Sequence, residues 1–495
     1  MKSTKNISGE SAFRKLFNKV AEKVENKDLN PFSNGYGAPR WWKRGSAEEV
    51  NFVETMSQQL EANNAIDGEF YTKYDVKRGL RNANGTGVIV GLTKVGEVVG
   101  YKTENNQKVA VDGELFYRGI NVHDLVDSVV EEDRFGYEET SYLLLFGELP
   151  NKEQLAEYKA TLGARRELPS GFARDMILVA PSNNVMNKLA RSVLALYSYD
   201  DLADDLSIPN VLRQSIDLIG YFPSLIAYGF QAKRAHYHNE SLHLHYPDPE
   251  KSTAENILRM IRPTGEYTDL EAKSLDLSMI LHAEHGGGNN STFTTHVVSS
   301  TGTDTYSAIA AAVGSLKGPK HGGANVEVIG MMNDLKANVK DITNYKEIEK
   351  YLMKLLKGEA FDGSGLIYGL GHAVYTVSDP RATLLKGMAK KLAEDEGLID
   401  EFMVYDFIEK RGPQLFSEIK GVEKNMPANV DLFSGFVYSA LNIPLDVATP
   451  VFAASRISGW CAHRIEELVA GGKIMRPAYV NVQEKRPYVP LDKRG

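Results

Sequence analysis

Four short segments set an ionisable side chain among glycines or at a turn: His285-Gly286-Gly287-Gly288-Asn289, Gly318-Pro319-Lys320-His321-Gly322-Gly323-Ala324-Asn325, Gly369-Leu370-Gly371-His372-Ala373-Val374-Tyr375 and Asn429-Val430-Asp431-Leu432-Phe433-Ser434-Gly435. Glycine lets a ligand approach the backbone closely and exposes N–H groups to oxyanions. A histidine in such a turn is poised rather than packed, and imidazole and carboxylate are the groups of general acid–base work. Any one of these histidines taken alone reads as a satisfied core or turn residue. Three histidines and an aspartate in similar settings between positions 285 and 431 read together as one shared pocket.

The elements that must hold such a pocket are mostly helices. From Asn121 onward apolar residues recur at i, i+3, i+4 and i+7 between Pro and Gly stops. Between Asp446 and Gly471, the residues Ala454, Ile457, Cys461, Ile465 and Leu468 share one stripe, with Arg456, His463 and Glu467 offset from it. A helix over Glu271 to Glu284 ends at Gly286-Gly287-Gly288, which places His285 at a helix C-terminus. An Ala-rich helix over Tyr306 to Leu316 is stopped by Gly318-Pro319, and His321 follows at once. Upstream, Thr86 to Leu92 and Glu97 to Tyr101 read as short strands of a small sheet, preceded by the turn signal Asn82-Ala83-Asn84-Gly85.

Composition narrows the classes. A chain of 495 residues can bury a large core unaided. Its 42% hydrophobic and 25% charged residues are ordinary for a globular protein. The net charge of −8, with basic and acidic residues interspersed, would repel a polyanion, so nucleic acid is not an expected partner and any bound anion is small and locally held. A single cysteine, Cys461, excludes an internal disulfide and a multi-thiolate metal site and suits a reducing compartment. Residues 1–30 lack the apolar core of about 7–15 residues of a secretory signal. The helical spacing of Phe13, Leu16, Phe17 and Val20 hints at a mitochondrial presequence, but Glu10, Glu22, Glu25 and Asp28 argue against it. No apolar run approaches the roughly 20 residues that span a bilayer. The expected location is the cytoplasm, with no membrane partner.

The order of the four segments, with Asp379-Pro380-Arg381 after the third, resembles the citrate synthase family. The match is collinear from about Phe116 to Pro477, and Leu115 to Ile120 and Tyr142 to Pro150 are similar to that family as well. The resemblance implies a mainly α, two-domain helical fold with a small N-terminal β element. It divides the chain into an extension over residues 1–85, a large helical domain from 86–321 plus 437–495, and a small one over 322–436. It implies condensation of acetyl-CoA with oxaloacetate and hydrolysis of citryl-CoA; the alternative is 2-methylcitrate synthase, using propionyl-CoA.

Residue roles follow from the same resemblance. The acyl methyl is a very weak carbon acid, so a carboxylate base and a donor to the thioester oxygen are required. Asp431 is similar to the base, and His321 to the neutral histidine that bonds the thioester oxygen. His372 resembles the residue that polarises the ketone and protonates the alkoxide, and His285 a further donor to the ketone. Oxaloacetate calls for planar, bidentate cations, and Arg381, Arg456 and Arg476 match the family pattern. In the family the last of these reaches the neighbouring subunit's site, so the resemblance implies a homodimer. CoA contacts resemble backbone positions at Leu316, Lys317, Gly318 and Val326 for the adenine, and Leu370, Gly371, His372 and Ala373 for the pantetheine. Ala373 stands where some bacterial members have Arg, which reads as subgroup variation. The Gly286-Gly287-Gly288 run lacks the features of a nucleotide loop.

Neither a metal nor a cofactor is expected. His236-Tyr237-His238 and His243-Leu244-His245 alternate as metal ligands on a strand would, but no carboxylate or cysteine completes a set, and an exposed hairpin or loop is the reading adopted. The spacing of His282 and His285 is wrong for a two-histidine zinc helix. Two rivals of other classes stand beside the enzyme: a catalytically silent CoA-binding homologue, disfavoured because Asp431, His321 and His372 are all present, and a metal-binding protein.

Overall fold

A computed structural model of the chain describes residues 47–494 apart from 83, 105, 106, 423 and 424. The aromatic segment Pro31 to Trp42 and the charged stretches around it lie outside these residues. Two compact units emerge: residues to Val88 together with those from Tyr479, and Ile89–Ala478. The sequence reading put the stretch from Tyr479 with the large helical domain. All four candidate segments belong to the second unit.

The fold is mainly α. Among the described residues there are seventeen α-helices: α1 (Ala47–Asn64), α2 (Glu69–Lys73), α3 (Val122–Glu131), α4 (Tyr137–Phe146), α5 (Lys152–Ala164), α6 (Val185–Leu196), α7 (Ile208–His238), α8 (Thr253–Ile261), α9 (Asp269–His282), α10 (Asn290–Ser299), α11 (Thr305–Leu316), α12 (Ala324–Asn338), α13 (Tyr345–Lys357), α14 (Pro380–Asp395), α15 (Ile399–Lys420), α16 (Val430–Ala440) and α17 (Leu445–Ala470). None is long and apolar enough to cross a membrane. One antiparallel sheet joins β1 (Gly96–Glu104), β2 (Gln107–Tyr117) and β3 (Ile120–Asn121) in that order.

The expected strand at Glu97 to Tyr101 is the middle of β1. The one at Thr86 to Leu92 does not form: Gly87 makes an isolated bridge to Arg81, and Ile89 and Leu92 are exposed. Apolar runs with no face to pack against do not hold a strand. The β1–β2 register shifts between Val99 and Tyr101. Gly100 sits at that irregularity, where an added Cβ would come within 2.5 Å of the Val374 carbonyl oxygen. The hairpin is thereby pressed onto the chain that follows His372. Ser378 Oγ accepts from Gly113 N–H (3.1 Å) and donates to Asp112 Oδ1 (3.0 Å).

Helix α17 differs from the expected one-sided stripe. From Val447 to Arg464 it is buried on every side, Arg456 and His463 included. It packs against α7, α10, α4 and α9. A helix surrounded in this way must satisfy its polar side chains internally, because an unpaired buried polar group costs about 1–3 kcal/mol. Trp460 illustrates the solution: its ring is enclosed, while Nε1 donates to Ser291 Oγ (3.1 Å).

Candidate active site

His285, His321 and Asp431 sit near helix ends, where backbone groups lack intrahelical partners, whereas His372 lies in a loop and Arg456 in mid-helix. His321 lies in the turn between α11 and α12, held by its own N–H to Gly318 O (2.9 Å) and by Gly322 N–H to Leu316 O (3.0 Å). A Cβ at Gly322 would stand 2.3 Å from that oxygen, so no other residue fits there without movement. The imidazole faces the first turn of α10. Ser291 N–H donates to His321 Nε2 (3.2 Å), and Ser291 Oγ is 2.9 Å away. An acceptor at Nε2 puts the proton of the neutral ring on Nδ1. Burial, followed by Arg456, lowers the imidazole pKa to about 4, so the ring is neutral at physiological pH.

His372 is fixed the other way round. Val374 and Tyr375 N–H groups both donate to Nδ1 (3.1 and 3.0 Å), which leaves Nε2 as the N–H of the neutral ring. The ring stacks on Tyr375 (4.8 Å between centroids) and meets His285 edge to face at 5.3 Å. His285 Nε2 is buried with no hydrogen-bond partner. Burial, then Arg381, His372 and Arg456, hold this imidazole well below its ordinary range.

The loop carrying His372 is tied to the start of α16. Gly371 N–H donates to Pro427 O (2.7 Å), Asn429 N–H to Gly369 O (2.9 Å) and Asn429 Nδ2 to Gly371 O (2.8 Å). Asn429 also caps α16, accepting from Asp431 N–H (3.0 Å). Asp431 therefore occupies the first turn of a helix, on the side the macrodipole favours for an anion. Burial nonetheless outweighs Arg381 and Arg456 and pushes its carboxyl up to about 6, with Asp379 adding to the rise. That suits a base working near neutral pH.

The two buried arginines are held differently. Arg381 Nε and Nη2 pair with Asp379 Oδ1 (3.0 Å) and Oδ2 (2.7 Å). Asp379 caps α14 and also accepts from Val430 N–H (3.2 Å), joining α14 to α16. Burial opposes the Arg381 charge, but Asp379 overcomes it and keeps the guanidinium firmly protonated. Arg456 Nε donates to His282 O (2.6 Å), while Nη2 is buried and unpartnered. Burial lowers its pKa to about 10 against the pull of Glu284. An unspent buried donor on Arg456 and an unpartnered ring nitrogen on His285, near a neutral His321 and a raised Asp431, form a site built for an anionic, carbonyl-containing ligand.

Arg476 is exposed beyond the end of α17, apart from this cluster. At the expected CoA positions, Leu316 and Leu370 are buried, Gly318, Gly371 and Val326 are partly buried, and Lys317 and Ala373 are exposed. Leu316 O and both polar backbone groups of Gly371 already take internal bonds. The histidine alternation fails as a strand: His236 and His238 form the last turn of α7, whereas His243 and His245 lie in irregular chain. Asp379, Ser291, Asn429 and Tyr375 escaped notice as orienting groups. Asp379 and Ser291 could have been suspected from Asp-Pro-Arg and from the Asn-Asn-Ser that follows the glycine run, both cap signals.

Residues 83–478 match the family described as citrate synthase, C-terminal domain. The chain is 32% identical over 427 residues to a citrate synthase of Haloferax volcanii, covering 85% of this chain and 99% of the relative. It is 36% identical over 346 residues to a citrate synthase of Deinococcus radiodurans (69% and 84% covered), and 30% identical over 391 residues to a 2-methylcitrate synthase of Shewanella oneidensis (78% and 94%). Among solved structures it resembles citrate synthase from Thermoplasma acidophilum in complex with carboxymethyl coenzyme A and oxaloacetate, with TM-score 0.69, 27% identity, and 85% and 99% of the two chains covered. The citrate synthase of Pyrobaculum aerophilum gives 0.66 at 30% identity, with 82% and 94% covered.

Proposed function

The chain belongs to the citrate synthase family, and we propose that it condenses acetyl-CoA with oxaloacetate and hydrolyses the resulting citryl-CoA to citrate and CoA. The observation that carries this reading is the pairing of tautomers: His321 accepts at Nε2 and His372 at Nδ1, which places the ring N–H of His321 on Nδ1 and that of His372 on Nε2.

On this reading Asp431 removes a proton from the acetyl methyl while His321 Nδ1–H stabilises the oxygen of the forming enol. A preorganised donor of that kind is worth roughly 10²–10³ in rate. The enol carbon attacks the oxaloacetate ketone, polarised by His372 Nε2–H and His285, and His372 supplies the proton to the developing alkoxide. Arg381 and Arg456 hold the carboxylates, and Arg476 completes a partner subunit's site in a homodimer. Residues 86–321 with 437–495 and residues 322–436 act as large and small domains that close over oxaloacetate before acyl-CoA binds, which excludes water from the enol. The backbone near Leu316, Lys317, Gly318 and Val326, and near Leu370, Gly371 and Ala373, receives the CoA. The reaction takes place in the cytoplasm, without a cofactor.

The test is thiol release from a panel of acyl-CoAs in the presence of oxaloacetate. Acetyl-CoA is expected to give the highest kcat/KM. A preference for propionyl-CoA would move the assignment to 2-methylcitrate synthesis, since one methylene is worth only about 1–3 kcal/mol of discrimination. No release with any acyl-CoA would end the reading.

A further inference from the structure

Behind Arg456 and His285 runs a series of four ionisable groups, three of them buried and the outer one, Glu467, half-buried, that the condensation chemistry does not use. Glu284 Oε1 is 3.0 Å from His463 Nε2, His463 Nδ1 is 3.1 Å from His296 Nε2, and His296 Nδ1 is 2.8 Å from Glu467 Oε2. Glu284 and His463 are fully enclosed, and His296 nearly so. The inner carboxylate is pressed between backbones: a Cβ at Gly459 would lie 2.5 Å from Glu284 Oε2, and one at Gly96 would lie 2.7 Å from its Cγ.

Counting protons sets the state of the series. Each of the three gaps is of hydrogen-bond length and must contain one proton. Two neutral imidazoles bring two protons. If both point outward to the carboxylates, the lone pairs of His463 Nδ1 and His296 Nε2 face each other at 3.1 Å. The series is complete with a third, shared proton, which leaves it one net negative charge. Glu466 favours that proton: its Oε2 is buried, makes no hydrogen bond and lies 3.8 Å from His463 Nδ1. The other charges facing the series are Arg456 on α17 and Arg118 after β2.

Glu284 links this series to the site. It precedes His285, and its carboxylate feels the Gly286 N–H on the far side of that histidine, while its Oε2 is buried without a hydrogen-bond partner. Burial would raise its pKa, but His463, then Arg456 and Gly286 N–H, hold it below the usual carboxylate range. We propose that His463 is a positioning residue for the oxaloacetate end of the site: the proton-sharing series Glu284–His463–His296–Glu467 fixes the carboxylate that braces the His285 turn and balances Arg456. The proposal rests on the reading of the site given above.

Burial, then His463, lower the His296 pKa from its ordinary value against the pull of Glu467, so the experiment is calorimetric titration of the full-length protein with oxaloacetate alone from pH 5 to 9, which needs no turnover. Wild type is expected to bind with a step, the dissociation constant weakening as the third proton is lost. His463→Gln keeps an amide N–H for Glu284 but ends the series there; it should bind about tenfold more weakly, the scale of losing a ligand-orienting partner, and with no step. Glu467→Gln, two imidazoles away from the substrate and on the outer end, removes a negative charge that holds the shared proton. Its step should move to lower pH by about one unit. An unmoved step in Glu467→Gln, or a wild-type profile in His463→Gln, would overturn the relay while leaving the site intact. A stoichiometric metal in the purified protein, with the step abolished by a chelator, would do the same by putting a divalent cation where the third proton is placed. Absence of oxaloacetate binding in wild type would instead remove the functional reading, and the relay with it.

Discussion

The two sides of the site are built on opposite plans. On the side of α14, α16 and the His372 loop, polar groups are cross-linked to one another before any ligand arrives: Asp379 holds both Arg381 and Val430 N–H, and Asn429 holds both Gly371 O and Asp431 N–H. On the side of α9, α10 and α17, Arg456 Nη2 and His285 Nε2 are buried and unspent. An unpaired buried polar group costs stability that only a ligand can recover. The first side is therefore a scaffold that fixes geometry, and the second holds binding energy in reserve.

The largest expected effect tests the scaffold. Asp431→Ala removes the base from a helix start that Asn429 and Asp379 still shape, so the thiol-release rate should fall by at least about 10². The oxaloacetate dissociation constant should stay near wild type, because the base acts on the other substrate. Retained turnover would remove Asp431 from the chemistry, and lost oxaloacetate binding would mean that the two sides are not separable.

A comparison of the arginines sharpens the contrast. Lysine cannot reproduce a planar fork. Arg456→Lys strips a donor that the ligand alone would satisfy, and oxaloacetate binding should weaken by about tenfold or more. Arg381→Lys should also weaken binding, by a smaller factor at the substrate, and should in addition lower the melting temperature, because Asp379 loses a bidentate buried partner. Equal binding losses with unchanged melting in both variants would erase the distinction between scaffold and reserve. Titration with oxaloacetate and thermal melts of the two variants supply both readings.

How much of this was legible in the sequence depends on the range over which the signal acts. The helices over Glu271 to Glu284, Tyr306 to Leu316 and Asp446 to Gly471 appear within two residues of the positions read from periodicity and glycine stops, because both signals are local. His285, His321, His372 and Asp431 stood out because glycine-flanked or capped turns are local too. The burial of α17 on every side was not legible, since it depends on four helices remote in sequence, and neither was the pairing of Glu284 with His463 across 179 positions. The alternating histidines misled for a related reason. A period of two suggests a strand, but the largely buried run of α7 carries the chain helically as far as His238 before Asn239 turns it left-handed (φ 57°).

The smallest expected effect concerns what the scaffold side sacrifices for its base. Asp431 has a folded-state pKa of about 6, above the ordinary aspartate value of 3.8. Between those two values the folded chain holds a proton that the unfolded chain has released, so stability falls as pH rises through this window and the loss is complete above about pH 6. Asp431→Asn removes the ionised group at nearly constant shape. At pH 7.5 the variant should be more stable by about 1–2 kcal/mol, less than the full two-unit shift would give because Asp431 keeps some contact with solvent. Below pH 4 both folded and unfolded chains carry the proton, and the gain should vanish. Thermal melts at the two pH values measure the difference. A gain of the same size at both would trace it to shape or hydrogen bonding, and the raised carboxylate would no longer be what this side sacrifices in stability for catalysis.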